Sequence, residues 1–259
     1  MNKQIERVVD AFTQQAKTFD QYQQVFTKEE YNRFALSRMG LQATDDVLEV
    51  AAGTCGFGRV VAPFVHHVAE LDVTEAMLNI GREAAEKQGM TNVSFVQGEA
   101  EHLPFADASF DCVMSRLAFH HFADPKAVMA EMRRVLKPGG KLVIIDMRAR
   151  EEELRETADR MERLRDPSHV RCLSEAEFRF LVGGMRVTFC ETIPLPVSLS
   201  AWMDVTEVAE PARLEITQAM EAELTGASPT GFEAYREDGR IMFYHRWMLL
   251  VAQKEESYA

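Results

Sequence analysis

The sequence predicts an α/β protein in which a doubly wound, mostly parallel sheet is covered by helices on both faces. From Asp46 onward, short apolar runs of strand length alternate with stretches of helical periodicity, which is typical of strand–helix–strand units. The chain has 259 residues, 46% of them hydrophobic, so it can bury a large core. The apolar runs are Val47–Ala51, Val68–Leu71, Val93–Val96, Cys112–Met114 and Leu142–Ile145.

The residues before the first strand are predicted to be helical. Ile5, Val8, Val9 and Phe12 recur at the spacing of one helix face. Aromatic side chains in this segment either pack into the core or form a lid that excludes water from a bound ligand. These aromatics are Phe12, Phe19, Tyr22 and Phe26. We assign residues 1–45 as an N-terminal helical lid.

A helix is predicted between the fourth and fifth apolar runs. Asp124 and Pro125 provide an N-cap followed by a proline at the first helical position. Pro138-Gly139-Gly140 predicts the end of this helix and a turn into the next strand. The apolar face of the helix consists of Val128, Met132, Val135 and Leu136.

Beyond Arg148 the regular alternation stops. A charged helix, the segment Ser174–Val182, a strand at Arg186–Ile193, helix from Ser198 to Leu224 and a last strand at Ile241–Val251 are predicted. The stretch Ala227–Gly239 is expected to be a loop or the edge of a lid. Residues 46–150 form the ligand-binding core, and residues 151–259 complete the sheet and add a helical insertion over its rim. All three segments belong to one structural domain.

Composition narrows the classes of partner. With 41 acidic against 29 basic residues, the net charge of −12 disfavours nucleic acid. No apolar run is long enough for a membrane span, and the charged N-terminus lacks the apolar core of a signal peptide. The four cysteines show no metal-ligand spacing, so we expect free thiols, a cytoplasmic location and no metal.

Three successive strands end in residues suited to a nucleotide-like ligand. The first strand runs into a turn of small residues, followed by a helix that starts near Phe57, and a ligand can approach the backbone of such a turn closely. Asp72 ends the second strand, where a carboxylate can accept hydrogen bonds from two ribose hydroxyls or cap the next helix. Glu99 follows the third strand and can accept from an adenine amino group.

These motifs resemble those of class I S-adenosylmethionine-dependent methyltransferases, in particular the ubiquinone/menaquinone-methylase type (methyltransferase type 11). The matching blocks keep the order and spacing of that family over about a hundred residues: VLEVAAGT, LDVTEAML, FVQGEAEHLPFADASFDCV, LAFHHFADPKAVMAEMRRVLKPGG and KLVIID. The resemblance implies a seven-stranded Rossmann-like sheet, S-adenosyl-L-methionine as cofactor and S-adenosyl-L-homocysteine as product.

The resemblance also implies roles for individual residues. Glu49, Ala51 and Gly53 would border the methionine part of the cofactor, and Asp72 would bind the ribose. Val73 and Met77 would pack on the adenine, Glu99 and Ala100 would bind its edge, and Ser115 and Arg116 would lie near the sulfonium. Ala51 and Cys55 stand where the family has glycines, so we expect the turn to shift its register onto Gly56.

Two histidines are candidates for the general base, since a nucleophile that carries a proton must lose it. His120 follows the fourth strand, and His169 lies in a turn-prone loop that could reach over the acceptor. His121 is expected to pack against the next helix, and His245 to be structural. Arg116 either forms a salt bridge or, with Arg171 as the other candidate, recognises an acidic group of the substrate.

The favoured function is the transfer of a methyl group to an oxygen, nitrogen or carbon nucleophile of a small molecule, which can be anionic or aromatic. The protein is expected to be a monomer or a homodimer. Three alternatives stay open at this point. The chain could bind the cofactor without transferring the methyl group. It could be a nicotinamide-dependent oxidoreductase, although no G-x-G-x-x-G motif is present. It could methylate a metalloid held by Cys55, Cys172 and Cys190.

Overall fold

The computed structural model describes residues 3–26 and 29–256, with the side chains of residues 3–16 and 29–256. The strands are β1 (Asp46–Val50), β2 (His67–Asp72), β3 (Val93–Gln97), β4 (Phe110–Arg116), β5 (Leu136–Met147), β6 (Met185–Ser198), β7 (Tyr235–Glu237) and β8 (Arg240–Lys254). The helices are α1 (Lys3–Phe26), α2 (Glu29–Met39), α3 (Gly56–Val61), α4 (Glu75–Lys87), α5 (Pro125–Val135), α6 (Glu152–Arg165), α7 (Glu175–Leu181), α8 (Leu199–Asp204) and α9 (Glu210–Leu224).

The sheet confirms the predicted doubly wound α/β class. Its order is β3-β2-β1-β4-β5-β8-β6, and the five strands from β3 to β5 are parallel. β8 runs antiparallel to both β5 and β6. The strand order reverses between β1 and β4, which is the switch point where ligands bind in open α/β sheets.

Apolar side chains cover both faces of the sheet. On β5, Leu142 and Ile144 join one buried cluster, while Val143 and Ile145 join the cluster on the opposite face. Successive side chains of a strand point to opposite faces, so a strand buried on both sides is apolar throughout. This is the physical reason why the central strands could be predicted as continuous apolar runs.

The helical insertion has a core of its own. Trp202 of α8, Met161 of α6 and Met220 of α9 pack with Phe232 and Phe243 in a third buried cluster. This cluster holds the insertion against the end of β8. Among the residues that the structure describes, no helix combines the length and the apolar character that a membrane crossing requires.

Several local predictions are corrected by the structure. The predicted loop at 227–239 contains the short strand β7, which pairs with β8 and makes the sheet eight-stranded within the described residues. The helix predicted from Ser198 to Leu224 is broken between α8 and α9, where Pro211 stands in the first turn of α9. Proline starts a helix but cannot continue one, because it lacks an N–H group.

The end of α5 also differs from the prediction. Asp124 caps this helix as expected, since its side chain accepts hydrogen bonds from the N–H groups of Lys126 and Ala127. However, Leu136 is extended rather than helical, and β5 starts there. Pro138-Gly139-Gly140 consequently lies within β5, beside a register shift in its pairing with β4.

Candidate active site

A cavity opens at the carboxyl ends of β1, β2 and β4, at the switch point of the sheet. It encloses about 1550 Å³ of space free of protein atoms, its open mouth included. Seven of the ten residues predicted to bind the cofactor line it: Glu49, Ala51, Asp72, Val73, Glu99, Ala100 and Arg116. At its other end the cavity is lined by His120, His121, Arg165, Asp166, His245 and Trp247.

The other three predicted residues lie behind the cavity wall. Gly53 donates its backbone N–H to Asp72 Oδ2 at 2.8 Å. Met77 is completely buried in α4. Ser115 is buried on β4, on the face opposite its cavity-lining neighbour Arg116. Sequence alone could not tell which of these two neighbours points into the cavity.

The turn after β1 keeps its place despite its substitutions. Ala51, Gly53 and Cys55 all adopt left-handed backbone conformations, with φ of 57°, 55° and 59°. The expected shift of register onto Gly56 is therefore wrong, since Cys55 itself takes the conformation that favours glycine, at a cost of about 1–2 kcal/mol. Its buried side chain lies against Gly81, where an added Cβ would be 2.7 Å from Cys55 Sγ.

Asp72 connects the turn to the next helix. Its Oδ2 accepts from Gly53 N and its Oδ1 from Thr74 N, both at 2.8 Å. Burial raises the pKa of Asp72, and these backbone hydrogen bonds oppose the rise. The side chain therefore both anchors the turn and borders the cavity, so the two predicted roles are compatible.

Arg116 is a cation in an aromatic setting. Its guanidinium lies 5.6 Å from the ring centre of Phe57 and 5.4 Å from that of Trp247. Burial lowers the pKa of Arg116 to about 10, and the charge of Glu49 opposes this. Within the described residues no carboxylate oxygen lies within 4.0 Å of it, so the salt bridge, one of the two alternatives for Arg116, is not formed there.

Arg171, the other predicted anion-binding residue, lies elsewhere. It is exposed, and its Nη1 donates to Glu177 Oε1 at 2.6 Å. It does not line the cavity. Of the two arginines, only Arg116 is placed to meet a ligand.

His120 and Asp146 form a buried pair at the second end of the cavity. His120 Nδ1 donates to Asp146 Oδ1 at 2.6 Å, since a carboxylate can only accept. Asp146 Oδ2 accepts from the N–H groups of Ala118 and Phe119, which fixes the carboxylate. Burial alone would lower the pKa of His120, but the charge and hydrogen bond of Asp146 raise it. Nε2 lies on the opposite edge of the ring.

His121 has a different environment from its neighbour. Its Nδ1 lies 3.1 Å from Ser168 Oγ, and Phe12 of α1 packs edge-on against its ring. Burial and the adjacent His120 lower the pKa of His121 to about 3, so its ring is neutral at pH 7. Sequence reasoning assigned His121 to helix packing, whereas it lines the cavity together with His120.

His169 does not line the cavity. Its Nε2 donates to Asp159 Oδ1 at 2.8 Å, and its ring lies 5.5 Å from that of His120. Asp159, His169 and Cys172 bring potential metal ligands within 4.8 Å of one another. However, Asp159 Oδ1 already accepts from His169 and from Cys172 N, and burial raises the pKa of the Cys172 thiol well above its usual range. A protonated thiol is a poor metal ligand.

His245 was expected to be structural, but it contributes to the cavity wall. It lies on β8, two residues from Trp247, so both side chains share one face of the strand. Its Nε2 is 3.3 Å from Glu162 Oε1, and burial lowers the pKa of His245. The period of two along β8 is a sequence signal that could have placed it beside Trp247.

The N-terminal helix covers this end of the cavity. Gln4, Ile5, Val8 and Phe12 of α1 are among the lining residues. The side-chain amide of Gln4 donates to the carbonyl groups of His121 and Ser168, at 3.1 and 2.7 Å. The side chains of Phe19, Tyr22 and Phe26, also predicted to belong to the lid, lie outside the described residues.

Comparison with known proteins gives one family match. The family model for a methyltransferase domain matches residues 48–144. The chain is 34% identical over 184 residues to the uncharacterized methyltransferase YcgJ of Bacillus subtilis, covering 70% of this chain and 73% of that protein. It is 37% identical over 129 residues to the ubiquinone/menaquinone biosynthesis C-methyltransferase UbiE of Marinomonas, covering 48% of this chain and about half (51%) of that relative.

Two solved structures share the fold over most of the chain. The crystal structure of YcgJ from Bacillus subtilis has a TM-score of 0.81 at 28% identity, covering 89% of this chain and 100% of that one. A crystal structure from Bacillus halodurans has a TM-score of 0.80 at 29% identity, covering 86% of this chain and 98% of that one.

Proposed function

Because the chain belongs to the same methyltransferase family as its relative YcgJ, we propose that it transfers a methyl group from S-adenosylmethionine to an oxygen, nitrogen or carbon nucleophile of a small molecule. The proposal rests on the observation that one cavity contains two groups of side chains suited to different ligands. One end contains the polar groups of three strand ends, and the other contains the His120–Asp146 pair.

The first end suits the cofactor. Ala51, Ala52 and Gly98 border it with small side chains, so a ligand can approach the backbone closely. Asp72 would accept hydrogen bonds from the ribose hydroxyls through lone pairs that its two backbone partners leave over. Glu99 would bind the adenine edge, with Ala100 beside it. When bound, S-adenosylmethionine supplies a methyl group on a positively charged sulfur.

At the second end, His120 would act as the general base. Asp146 holds the hydrogen on Nδ1, which leaves Nε2 to take the proton that the acceptor loses. The Asp146 carboxylate then stabilises the imidazolium that forms. His169 lies behind His120 rather than at the cavity, so we assign contact with the acceptor to His120 and keep His169 as a supporting candidate.

Arg116 would select the acceptor. A cation largely removed from water needs an anion or a strong acceptor nearby, and no described carboxylate lies within 4.0 Å of Arg116. We propose that the acceptor is an anionic, preferably aromatic, small molecule whose charge Arg116 binds. Arg116→Met should raise the acceptor KM at least tenfold, and by more than it weakens cofactor binding through the lost charge beside Glu49. Arg171→Met, the exposed control, should change neither quantity. An unchanged acceptor KM in Arg116→Met would contradict this assignment.

The helix α1 would act as a lid. Its side chains cover the acceptor end, and Gln4 ties it to the loops that contain His121 and Ser168. A closed cavity excludes water, which protects the methyl group from hydrolysis and strengthens the electrostatic interactions inside. Gln4→Ala should lower turnover and speed product release, as measured by stopped-flow fluorescence.

Calorimetry followed by turnover tests the whole proposal. The protein should bind S-adenosylmethionine and S-adenosylhomocysteine at micromolar concentration and should not bind NAD, and Asp72→Ala should weaken cofactor binding at least tenfold. NAD binding instead would favour the oxidoreductase alternative. A panel of phenols, amines and carbon acids, with and without a carboxylate, should then release S-adenosylhomocysteine. Binding without release from any member would favour the non-enzymatic alternative.

A cytoplasmic location is proposed on chemical grounds. Cys55, Cys112, Cys172 and Cys190 are all unpaired in the structure, and free thiols are typical of reducing compartments. Fractionation of cells with an antibody against the chain would test this location.

A further inference from the structure

Two glutamates face each other beneath the cofactor end of the cavity. Glu49 of β1 and Glu70 of β2 occupy paired positions on neighbouring parallel strands. Both are buried, with exposed fractions of 2% and 0%. Glu49 borders the cavity, whereas Glu70 lies behind it against the backbone of Gly58, where an added Cβ would be only 1.8 Å from Glu70 Oε1.

Of these two glutamates, only Glu49 accepts a hydrogen bond from a described donor. Glu49 Oε2 accepts from the backbone N–H of Gly58 at 2.7 Å. In the described part of the chain, neither oxygen of Glu70 has a donor within hydrogen-bond distance. A buried carboxylate without donors is very unfavourable, and two adjacent carboxylates repel each other. A proton on Glu70 removes both penalties, because the neutral acid can donate to Glu49.

The surrounding charges fit this distribution. Arg116 of β4 and Arg59 of α3 both attract a negative charge on Glu49. Arg59 also attracts a charge on Glu70, but Arg116 acts on Glu49 alone, so the two arginines favour Glu49 as the ionised member of the pair. Burial raises the pKa of Glu49 to about 7. Burial and the charge of Glu49 raise the pKa of Glu70 well above its usual range.

We propose that Glu70 is a positioning residue that stays protonated at neutral pH and donates a hydrogen bond to Glu49, which thereby presents an ionised carboxylate to the ammonium group of the cofactor. This inference rests on the proposed function, since it assumes a ligand with an amino-acid part next to Glu49. Glu70 does not touch the ligand. It acts through Glu49, by supplying the donor that a buried anion needs.

The substitution of Glu70 by Gln and by Leu separates this role from packing alone. Gln keeps a neutral donor of similar shape, so Glu70→Gln should bind S-adenosylhomocysteine within about threefold of the unmodified protein. Leu removes the donor, so Glu70→Leu should bind it at least tenfold more weakly, as expected for the loss of one charge-assisted hydrogen bond. Binding of 5′-methylthioadenosine, which lacks the ammonium group, should be the same in all three proteins.

The outcomes separate failure of the inference from failure of the proposed function. If the unmodified protein binds neither compound, the proposed function fails. If it binds both, but Gln weakens S-adenosylhomocysteine binding as much as Leu does, Glu70 is an ionised acceptor and the inference is wrong. Equal losses for both ligands in Glu70→Leu would indicate a packing role only, which also overturns it.

Infrared spectroscopy of the ligand-free protein gives an independent readout. A protonated carboxyl group has a C=O stretching band separate from that of a carboxylate. At pH 8 this band should be present in the unmodified protein and in the control Glu131→Gln, which removes a carboxylate of α5 that is paired with Arg134. It should be missing from Glu70→Gln, and an identical band in that variant would contradict the assignment.

Discussion

Asp146→Asn should destabilise the protein because the Asp146 carboxylate accepts four hydrogen bonds while almost fully buried. Oδ2 accepts from the N–H groups of Ala118 and Phe119, and Oδ1 accepts from Met147 N and His120 Nδ1, at distances of 2.6 to 2.9 Å. Asparagine offers only one oxygen. In its better orientation it keeps the two bonds at Oδ2 and turns its NH₂ group toward Met147 and His120.

The cost follows from the bonds that are lost. The Met147 N–H is left without its acceptor, which costs about 1–3 kcal/mol in a buried site. The two bonds that remain lose the assistance of the negative charge, so the total is about 2–4 kcal/mol. His120 would also change tautomer, with Nδ1 accepting from the amide and Nε2 carrying the hydrogen. Turnover should therefore fall about 100- to 10,000-fold.

Urea unfolding, followed by the fluorescence of the buried Trp202 and Trp247, measures the stability change. Asp124→Asn is the matched control, because Asp124 caps α5 through one oxygen and asparagine caps helices equally well. The control should change the free energy of unfolding by less than about 0.5 kcal/mol. If Asp146→Asn costs no more than this control, the hydrogen-bond accounting around Asp146 is wrong.

Four further predictions follow from the same structure. His120→Asn should lower turnover about 100- to 10,000-fold with unchanged S-adenosylhomocysteine affinity, and a variant that keeps a tenth of normal turnover would contradict the base role. The turnover of the unmodified protein should fall as the pH drops through the raised pKa of His120, because only a neutral imidazole accepts a proton. The free energy of unfolding should decrease from pH 6.5 to pH 3, because His121 takes up a proton near pH 6.5 in the unfolded chain but only near pH 3 in the folded chain. In urea titrations at several pH values, His121→Asn should make this decrease smaller. The affinity for S-adenosylhomocysteine, measured by calorimetry, should weaken as pH falls through about 7, where Glu49 takes up a proton, while that for 5′-methylthioadenosine stays constant; parallel curves would show that Glu49 is not involved. Gly58→Ala should lower the free energy of unfolding, measured by thermal unfolding, by about 1–3 kcal/mol, because the added Cβ would collide with the Glu70 carboxyl group. The loss should be much smaller in a Glu70→Ala background, and equal losses in both backgrounds would refute this contact.

The turn after β1 shows the limit of local reasoning. Its position and its small residues were predicted, because a strand followed by such a turn is a local pattern. Its conformation was not, because Cys55 adopts a left-handed backbone that its own preferences oppose. The hydrogen bond from Gly53 to Asp72 and the close packing of Cys55 on Gly81 stabilise that conformation, and both contacts come from the tertiary structure.

The sequence by itself determined the fold class and most of the residues that line the cavity at the ends of the parallel strands. Asp72, Glu99 and Arg116 each lie within three residues of the end of an apolar run, and parallel strands bring their carboxyl ends to one edge of the sheet. The strand period was enough to place these positions at that edge, although it did not show which of two neighbours faces inward.

Only the tertiary structure decided the acceptor end. His120 meets Asp146 across 26 residues of chain, and His245 reaches the same cavity from the last strand. The facing positions of Glu49 and Glu70 likewise depend on the register between two strands. Such contacts depend on strand register and on the packing of the insertion, which sum many weak interactions between distant residues, so no local pattern in the sequence specifies them.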